Sequence, residues 1–245
     1  SVVALSNKFG VAPAQVLGLL TYASERKLRP YGLTIHVGSQ CERPATWVEA
    51  LRLCQQVWFE AQQAGFNLKL LSLGGGLPAT YTPNGMTAPQ TAATICTTLA
   101  ESDWIKTSTL SFEPGRAIVA NAGTMIASVI GLAERATGNW AYLDAGVFHG
   151  LFEACAAGGG MPFQLSANHS GRPKQLYNLG GPTCDGFDVP FEKRLLPELR
   201  IGDRLAIHDT GAYSTEMAST FNGFPIPIVY ALEELERRSA KTIDS

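Results

Sequence analysis

From its first residues to Phe112 the chain repeats one unit, a short β-prone run followed by a helical segment, and this repetition limits the fold more than any other feature. The runs are Val2–Leu5, Tyr31–Val37, Leu68–Leu73 and Thr109–Phe112, ending near Ser6, Val37, Leu73 and Phe112, so each unit takes 31 to 39 residues. Leu68–Leu73 has almost no polar break, as suits a strand covered on both faces. The clearest helix carries Trp47, Ala50, Leu51, Cys54, Val57, Trp58 and Ala61 at steps of three and four and closes at Gly65. A helix from Pro13 with Val16, Leu20 and Ala23 on one face precedes it, and a weaker one over Ala88–Ala100 follows. Alternating strands and helices imply a parallel sheet. A closed eight-unit barrel needs roughly 250 residues. Four units in a chain that opens directly on a strand read as the C-terminal half of a (β/α)8 barrel, with about four units expected upstream.

After residue 118 the pattern changes. Thr124–Leu132, Trp140–Leu143, Pro162–Ala167, Gln175–Leu179 and Arg204–His208 read as strands joined by turns rich in Gly, Pro and Asn, and a helix is expected only at Ile228–Arg238. This is the pattern of a mostly antiparallel β domain. The expected fold class is therefore α/β, a partial barrel over 1–120 followed by a β domain over 121–245.

Composition narrows the function. A net charge of -2 and 16% charged residues give no sign of a nucleic-acid partner. No apolar run is long enough to span a bilayer, because 117–133 is broken by Asn121, Gly123 and Ser128, and no signal peptide precedes the first strand. The five cysteines form no C-x-x-C pair and are odd in number, so neither a disulfide framework nor a metal site is expected, and a reduced cytoplasm fits best.

Four clusters fall at the C-terminal ends of the four barrel-type strands, where parallel barrels build their sites: Asn7-Lys8-Phe9-Gly10, His36-Val37-Gly38-Ser39, Gly74-Gly75-Gly76 and Glu113-Pro114-Gly115-Arg116. Three glycines allow close backbone approach to an anion, and Arg116 can add a charge-assisted contact. A Gly-Gly-Gly turn alone is more often only a tight turn. Four clusters in register with strand ends are not explained that way.

In order along the chain, H-V-G-S, L-G-G-G-L-P, E-P-G-R, G-P-T-C-D-G-F-D, and G-A-Y followed by F-N-G-F resemble the ornithine and related basic amino-acid decarboxylases, members of the alanine-racemase-fold enzymes that use pyridoxal 5′-phosphate. Diaminopimelate decarboxylases share most of these motifs. The resemblance implies a homodimer with shared active sites. It implies that His36 stacks on the pyridine ring, that Glu113 pairs with the pyridine nitrogen, and that Ser39, Gly74, Gly75, Gly76, Gly115, Arg116 and Tyr213 hold the phosphate end. It implies that Cys184 reaches the partner's site as a proton donor, that Asp185 accepts the distal ammonium of a small amino-acid substrate, and that Phe221 and Asn222 line the pocket. Lys8 is expected to pair with Asp188 of the other subunit.

The implied reaction is decarboxylation of ornithine, lysine or a similar amino acid to a diamine, a step of polyamine biosynthesis. Cys184-Asp185 tilts toward these substrates, since diaminopimelate decarboxylases usually carry C-E there. Diaminopimelate decarboxylation and a catalytically inactive regulatory homologue are the alternatives. Two departures stand out. The family links its cofactor to a lysine in a segment like Y-A-V-K-A-N, and no such segment occurs here, so the chain alone is expected to be inactive. Where ornithine decarboxylases often carry Tyr-Asp, the chain reads Cys155-Ala156-Ala157-Gly158-Gly159.

Overall fold

The computed structural model describes residues 8–101, 103–155 and 160–236. The expected first strand, Val2–Leu5, lies outside them. Three helices carry a proline in the first turn: α1 Pro13–Glu25 and α2 Pro44–Gln63 begin on it, and α3 Ala88–Ala100 has Pro89 as its second residue. Proline suits that turn because its missing N–H has no helical acceptor there. At α3 the Thr87 hydroxyl accepts from the Gln90 N–H (3.3 Å) while the Gln90 side chain accepts from the Thr87 N–H (3.0 Å), a capping box.

Between these helices run three short parallel strands, β1 Gly32–Thr34, β2 Leu70–Ser72 and β3 Thr109–Ser111, in the order β1-β2-β3. They are shorter than the expected Tyr31–Val37, Leu68–Leu73 and Thr109–Phe112, because beyond Thr34 and Ser72 the ladder continues only as single bonds. Ile35 N–H donates to Ser72 O (3.0 Å), Leu73 N–H to Ser111 O (2.9 Å) and Glu113 N–H to Gly74 O (2.7 Å). Those bonds draw the three following loops together. The α2 face anticipated from spacing is buried, with Trp47 and Trp58 at the centre and Trp58 edge-on to Trp104 at 5.6 Å.

The second layer is a six-stranded sheet ordered β6-β9-β4-β5-β7-β8. Its strands are β4 Thr124–Arg135, β5 Gly138–Leu143, β6 Leu165–Ala167, β7 Lys174–Gly180, β8 Phe191–Pro197 and β9 Arg204–His208. Along β4, Met125, Ala127 and Val129 are buried while Thr124 and Ile126 face out, the period-two pattern of a strand with one covered face. The sheet is antiparallel except at β5–β7. A parallel neighbour requires a long crossover, and residues 144–173 make it. Edge strands β6 and β8 approach each other, so the sheet nearly closes.

β8 has no counterpart among the expected strands. Its alternation is broken at Lys193, which takes φ 50° where the β7–β8 register shifts, and Glu192, Lys193 and Arg194 give it the charge typical of an edge. Of the expected last helix, 232–236 are helical and 228–231 are not, while 237–238 lie outside the described residues. The two layers have separate cores, yet Ala79 and Tyr81, from the loop after β2, pack into the second one. Tyr81 meets Phe163 edge-on at 5.6 Å. Among the described residues no helix is long and apolar enough to cross a membrane.

Candidate active site

The site lies in the loops at the C-terminal ends of β1, β2 and β3, where the second layer packs on them. Its floor is made by the glycines. Gly74 takes φ +60°, and a Cβ on it would collide with Ile35 O. A Cβ on Gly75 would lie 2.6 Å from His36 Nε2, so the imidazole packs on bare backbone. The triplet is thus required for close packing against Ile35–Gly38. His36 is exposed, and its Nδ1 accepts from the Gly38 N–H (3.0 Å), which sets the ring orientation and leaves the other nitrogen to carry the proton when the ring is neutral.

Gln40, 1% exposed, clamps the two loops. Its amide donates to Ala79 O (2.6 Å) and accepts from the Ala79 N–H (3.0 Å), and Cys41 N–H donates to Gly76 O (2.9 Å). Glu113 is exposed, and the Ser72 hydroxyl, itself buried, donates to its Oε1 (3.2 Å). Among the described residues this is its one side-chain bond, which leaves the second carboxylate oxygen to receive a ligand.

Gly115 (φ +33°) begins the short helix α4 Arg116–Val119 and turns Arg116 inward. The Arg116 side chain is 3% exposed. Nε and one terminal nitrogen both donate to Ser39 Oγ (3.1 Å each). The other terminal nitrogen donates to the Tyr81 hydroxyl (2.8 Å), and Glu153 receives both ends of the fork at 2.7 and 2.6 Å. Burial disfavours the charge on Arg116, but Glu153 and the Tyr81 hydroxyl outweigh it and hold the pKa above its ordinary value. The Tyr81 phenol is raised in turn, chiefly by burial.

Tyr213 covers this group. Its segment is pinned to the end of the first layer by Thr210 N–H to Gly123 O and Gly211 N–H to Ala120 O, both 2.9 Å. The Tyr213 ring lies 4.8 Å from the Arg116 guanidinium carbon, and its hydroxyl lies over Gly115, 3.9 Å from where a Cβ would be. Tyr213 takes φ 54°, a left-handed backbone that costs a residue with a side chain about 1 to 2 kcal/mol.

A second group gathers in the sheet layer. Asn222 Oδ1 lies 3.4 Å from both the backbone N and the Sγ of exposed Cys184. Asp185 is exposed, and its Oδ1 accepts from the Phe187 N–H (2.8 Å), closing the turn that presents Cys184. Phe221 packs on Phe148 with ring centroids 4.5 Å apart. No hydrogen bond among the described residues joins this group to the strand-end group.

At two of the expected positions the structure shows additional partners within the chain. Arg116, assigned to the phosphate, is enclosed by three protein partners. Asp188, assigned to a pair with Lys8 of a second subunit, is 3% exposed. Its carboxylate accepts from Val147 N–H (2.7 Å), Thr183 N–H (3.1 Å) and the Thr183 hydroxyl (2.7 Å), so it braces the Cys184 turn from within its own chain. Lys8 is exposed, with Nζ 5.1 Å from the centre of the Phe9 ring. Sequence reasoning missed Ser72, Gln40, Tyr81 and Glu153. The available signal for Glu153 was an acid set among apolar neighbours in Leu151-Phe152-Glu153-Ala154-Cys155.

Known proteins define the class of this arrangement. Residues 2–120 match the family model "Pyridoxal-dependent decarboxylase, pyridoxal binding domain". Residues 2–120 thus carry the pyridoxal-binding domain of this decarboxylase family. It is 30% identical over 241 residues to the lysine/ornithine decarboxylase of Selenomonas ruminantium, covering 98% of this chain and 60% of that protein. It is 30% identical over 199 residues to the diaminopimelate decarboxylase of Archaeoglobus fulgidus, covering 80% of this chain and 47% of that one. The Vibrio vulnificus lysine/ornithine decarboxylase, solved with putrescine, superposes with a TM-score of 0.80 at 38% identity, over 93% of this chain and 61% of that one. The chain thus spans about 60% of the length of these lysine/ornithine decarboxylases.

Proposed function

We propose that the chain supplies the cofactor-holding C-terminal half of a (β/α)8 barrel, over 1–120, and the β domain, over 121–245, of a pyridoxal-phosphate-dependent decarboxylase of basic L-amino acids. The observation that carries this reading is the convergence of His36, Ser39, Glu113 and Arg116 at one end of β1–β3, through the His36–Gly75 contact, the Glu113–Gly74 bond and the Arg116–Ser39 fork.

The residues fit the group. An exposed imidazole on a glycine floor offers a flat face to a pyridine ring. Glu113 offers a carboxylate to the ring nitrogen. The hydroxyls of Ser39 and Tyr213, backed by Arg116 and beside Gly115, offer donors to a phosphate. When bound, pyridoxal phosphate draws electron density from the substrate α-carbon as carbon dioxide leaves. Glu113 holds a proton at the ring nitrogen. His36 orients the ring. Cys184 Sγ donates a proton to the carbon that has lost its carboxylate, and Asn222, in contact with that sulfur, aims it.

Asp185 accepts the distal ammonium of lysine or ornithine, which yields a diamine. The separation of the Cys184 group from the strand-end group within one chain favours a two-fold homodimer whose sites mix the first layer of one subunit with the sheet of the other. Five free cysteines suit a reduced, cytoplasmic setting.

The test is carbon dioxide release from carboxyl-labelled L-lysine, L-ornithine and meso-diaminopimelate by the gene product that contains this chain. Lysine and ornithine are expected to react fastest, and Glu113→Gln to abolish turnover while the cofactor stays bound. Preference for diaminopimelate reassigns the substrate. Normal turnover in Glu113→Gln overturns the reading of the site.

A further inference from the structure

Gln40 follows Ser39 directly and takes φ 52°, in the left-handed region where a side chain crowds its own backbone and glycine is the usual occupant. Such a backbone persists only where its surroundings hold it. Here the side chain itself makes the holding bonds. A primary amide has two N–H donors and one carbonyl oxygen, and in Gln40, which is buried, all three are engaged. The oxygen accepts from the Ala79 N–H (3.0 Å), and the nitrogen donates to Ala79 O (2.6 Å) and to Glu42 Oε1 (2.9 Å). The amide therefore pairs with the Ala79 backbone as a neighbouring strand would, across 39 residues of chain.

The anchor at Ala79 is firm, because Ala79 and Tyr81 pack into the core of the second layer. On the other side of Gln40 the loop is equally confined. Cys41 N–H donates to Gly76 O (2.9 Å), and a Cβ on Gly76 would lie 2.6 Å from Gly38 O. Ser39 sits inside this clamp. Its Oγ accepts from two nitrogens of Arg116 (3.1 Å each), so the direction of the Ser39 side chain also sets where the guanidinium stands. Resting on the proposed cofactor role of this site, we propose that Gln40 is the positioning residue of the phosphate subsite: its buried amide holds the left-handed turn that aims the Ser39 hydroxyl at the anion. Glycine at this position tolerates the same φ but has nothing to hold it there.

Equilibrium dialysis of the full 245-residue chain against pyridoxamine 5′-phosphate and pyridoxamine tests this. Neither ligand forms an imine with lysine, and the dissociation constant of pyridoxamine divided by that of its phosphate reads the phosphate alone. Gln40→Gly is expected to lower this ratio roughly fivefold, with the affinity for pyridoxamine changing by less than about twofold. In a Ser39→Ala background the same change is expected to lower the ratio by less than about twofold, because the hydroxyl that Gln40 aims is gone. An unchanged ratio in Gln40→Gly, or an equal fall in both backgrounds, overturns the proposal. So does an equal loss of affinity for both ligands, which is the mark of a merely structural residue. If Gln40→Gly does not fold, Gln40→Met keeps the bulk of the side chain without its amide, and an unchanged ratio there overturns the proposal equally. A wild-type ratio of one would instead overturn the cofactor reading, so the two failures are distinct.

Discussion

Replacing Glu153 by leucine should destabilise the fold through one identifiable cause. The Arg116 and Glu153 side chains are 3% and 11% exposed, so removing the carboxylate leaves a buried charge with only two hydroxyl acceptors. Breaking a buried ion pair from one side costs about 3 to 5 kcal/mol. Since Tyr81 and Ser39 still accept from the guanidinium, the lower figure of about 3 kcal/mol applies. Unfolding entropy is about 2.1 cal/mol/K per residue, which for 245 residues is about 0.5 kcal/mol/K, so the midpoint should fall by about 6 °C. Scanning calorimetry in a buffer free of phosphate and sulfate measures it. Arg116→Met combined with Glu153→Leu should be more stable than Glu153→Leu alone, because the orphaned charge is gone. A fall of less than about 1 °C in Glu153→Leu, or costs that simply add in the double variant, would refute the reasoning.

Three further outcomes follow from other parts of the molecule. Burial pushes the Cys54 thiol up to about 11, and burial with Asp188 and Glu192 pushes Cys155 up to about 11, so at pH 8 only about one in a thousand of either is thiolate. Iodoacetamide should therefore label exposed Cys96 and Cys184 well before Cys54 and Cys155, and equally fast labelling of Cys155 in the native protein would contradict this. Asp203 is opposed by burial but held below its ordinary pKa by the side chain of Arg172, the Arg200 N–H and the charges of Arg172 and His169. Its stabilisation is thus present above about pH 3.9, the unfolded value, and is lost as pH falls through the lower folded value. Asp203→Asn should lower the melting midpoint at pH 7 and converge with wild type in strong acid; a constant difference across that range would exclude the linkage. Borohydride reduction with pyridoxal phosphate should leave no dominant pyridoxyl-lysine by peptide mapping, and stoichiometric labelling of Lys8 would show that the chain carries its own cofactor lysine.

Local rules made much of this architecture readable. The three-and-four spacing of Trp47, Leu51, Cys54 and Trp58 marked the buried face of α2, and alternation marked β4 and β9. The sequence placed His36, the glycine triplet and Glu113 at strand ends, where the structure brings them together. What stayed hidden depends on distant partners. Glu153 meets Arg116 across 37 residues, through a crossover whose course depends on the parallel pairing of β5 and β7. Nothing in the glycine-rich turn beside Arg116 shows that this acid joins it. Asp188 reads as an interface acid for Lys8 of another subunit, and nothing local shows that Val147 and Thr183 also donate to it. β8 escaped because the backbone at Lys193 breaks its alternation.

A crystal structure of the chain with pyridoxamine 5′-phosphate tests the central claim most directly. The phosphate should lie within hydrogen-bond distance of the Ser39 and Tyr213 hydroxyls, the ring should lie on His36, and its nitrogen should meet a Glu113 carboxylate oxygen. Arg116 should keep its fork to Glu153. Ligand bound elsewhere, or a ring nitrogen with no contact to Glu113, would contradict the assignment of these strand-end loops as the cofactor site.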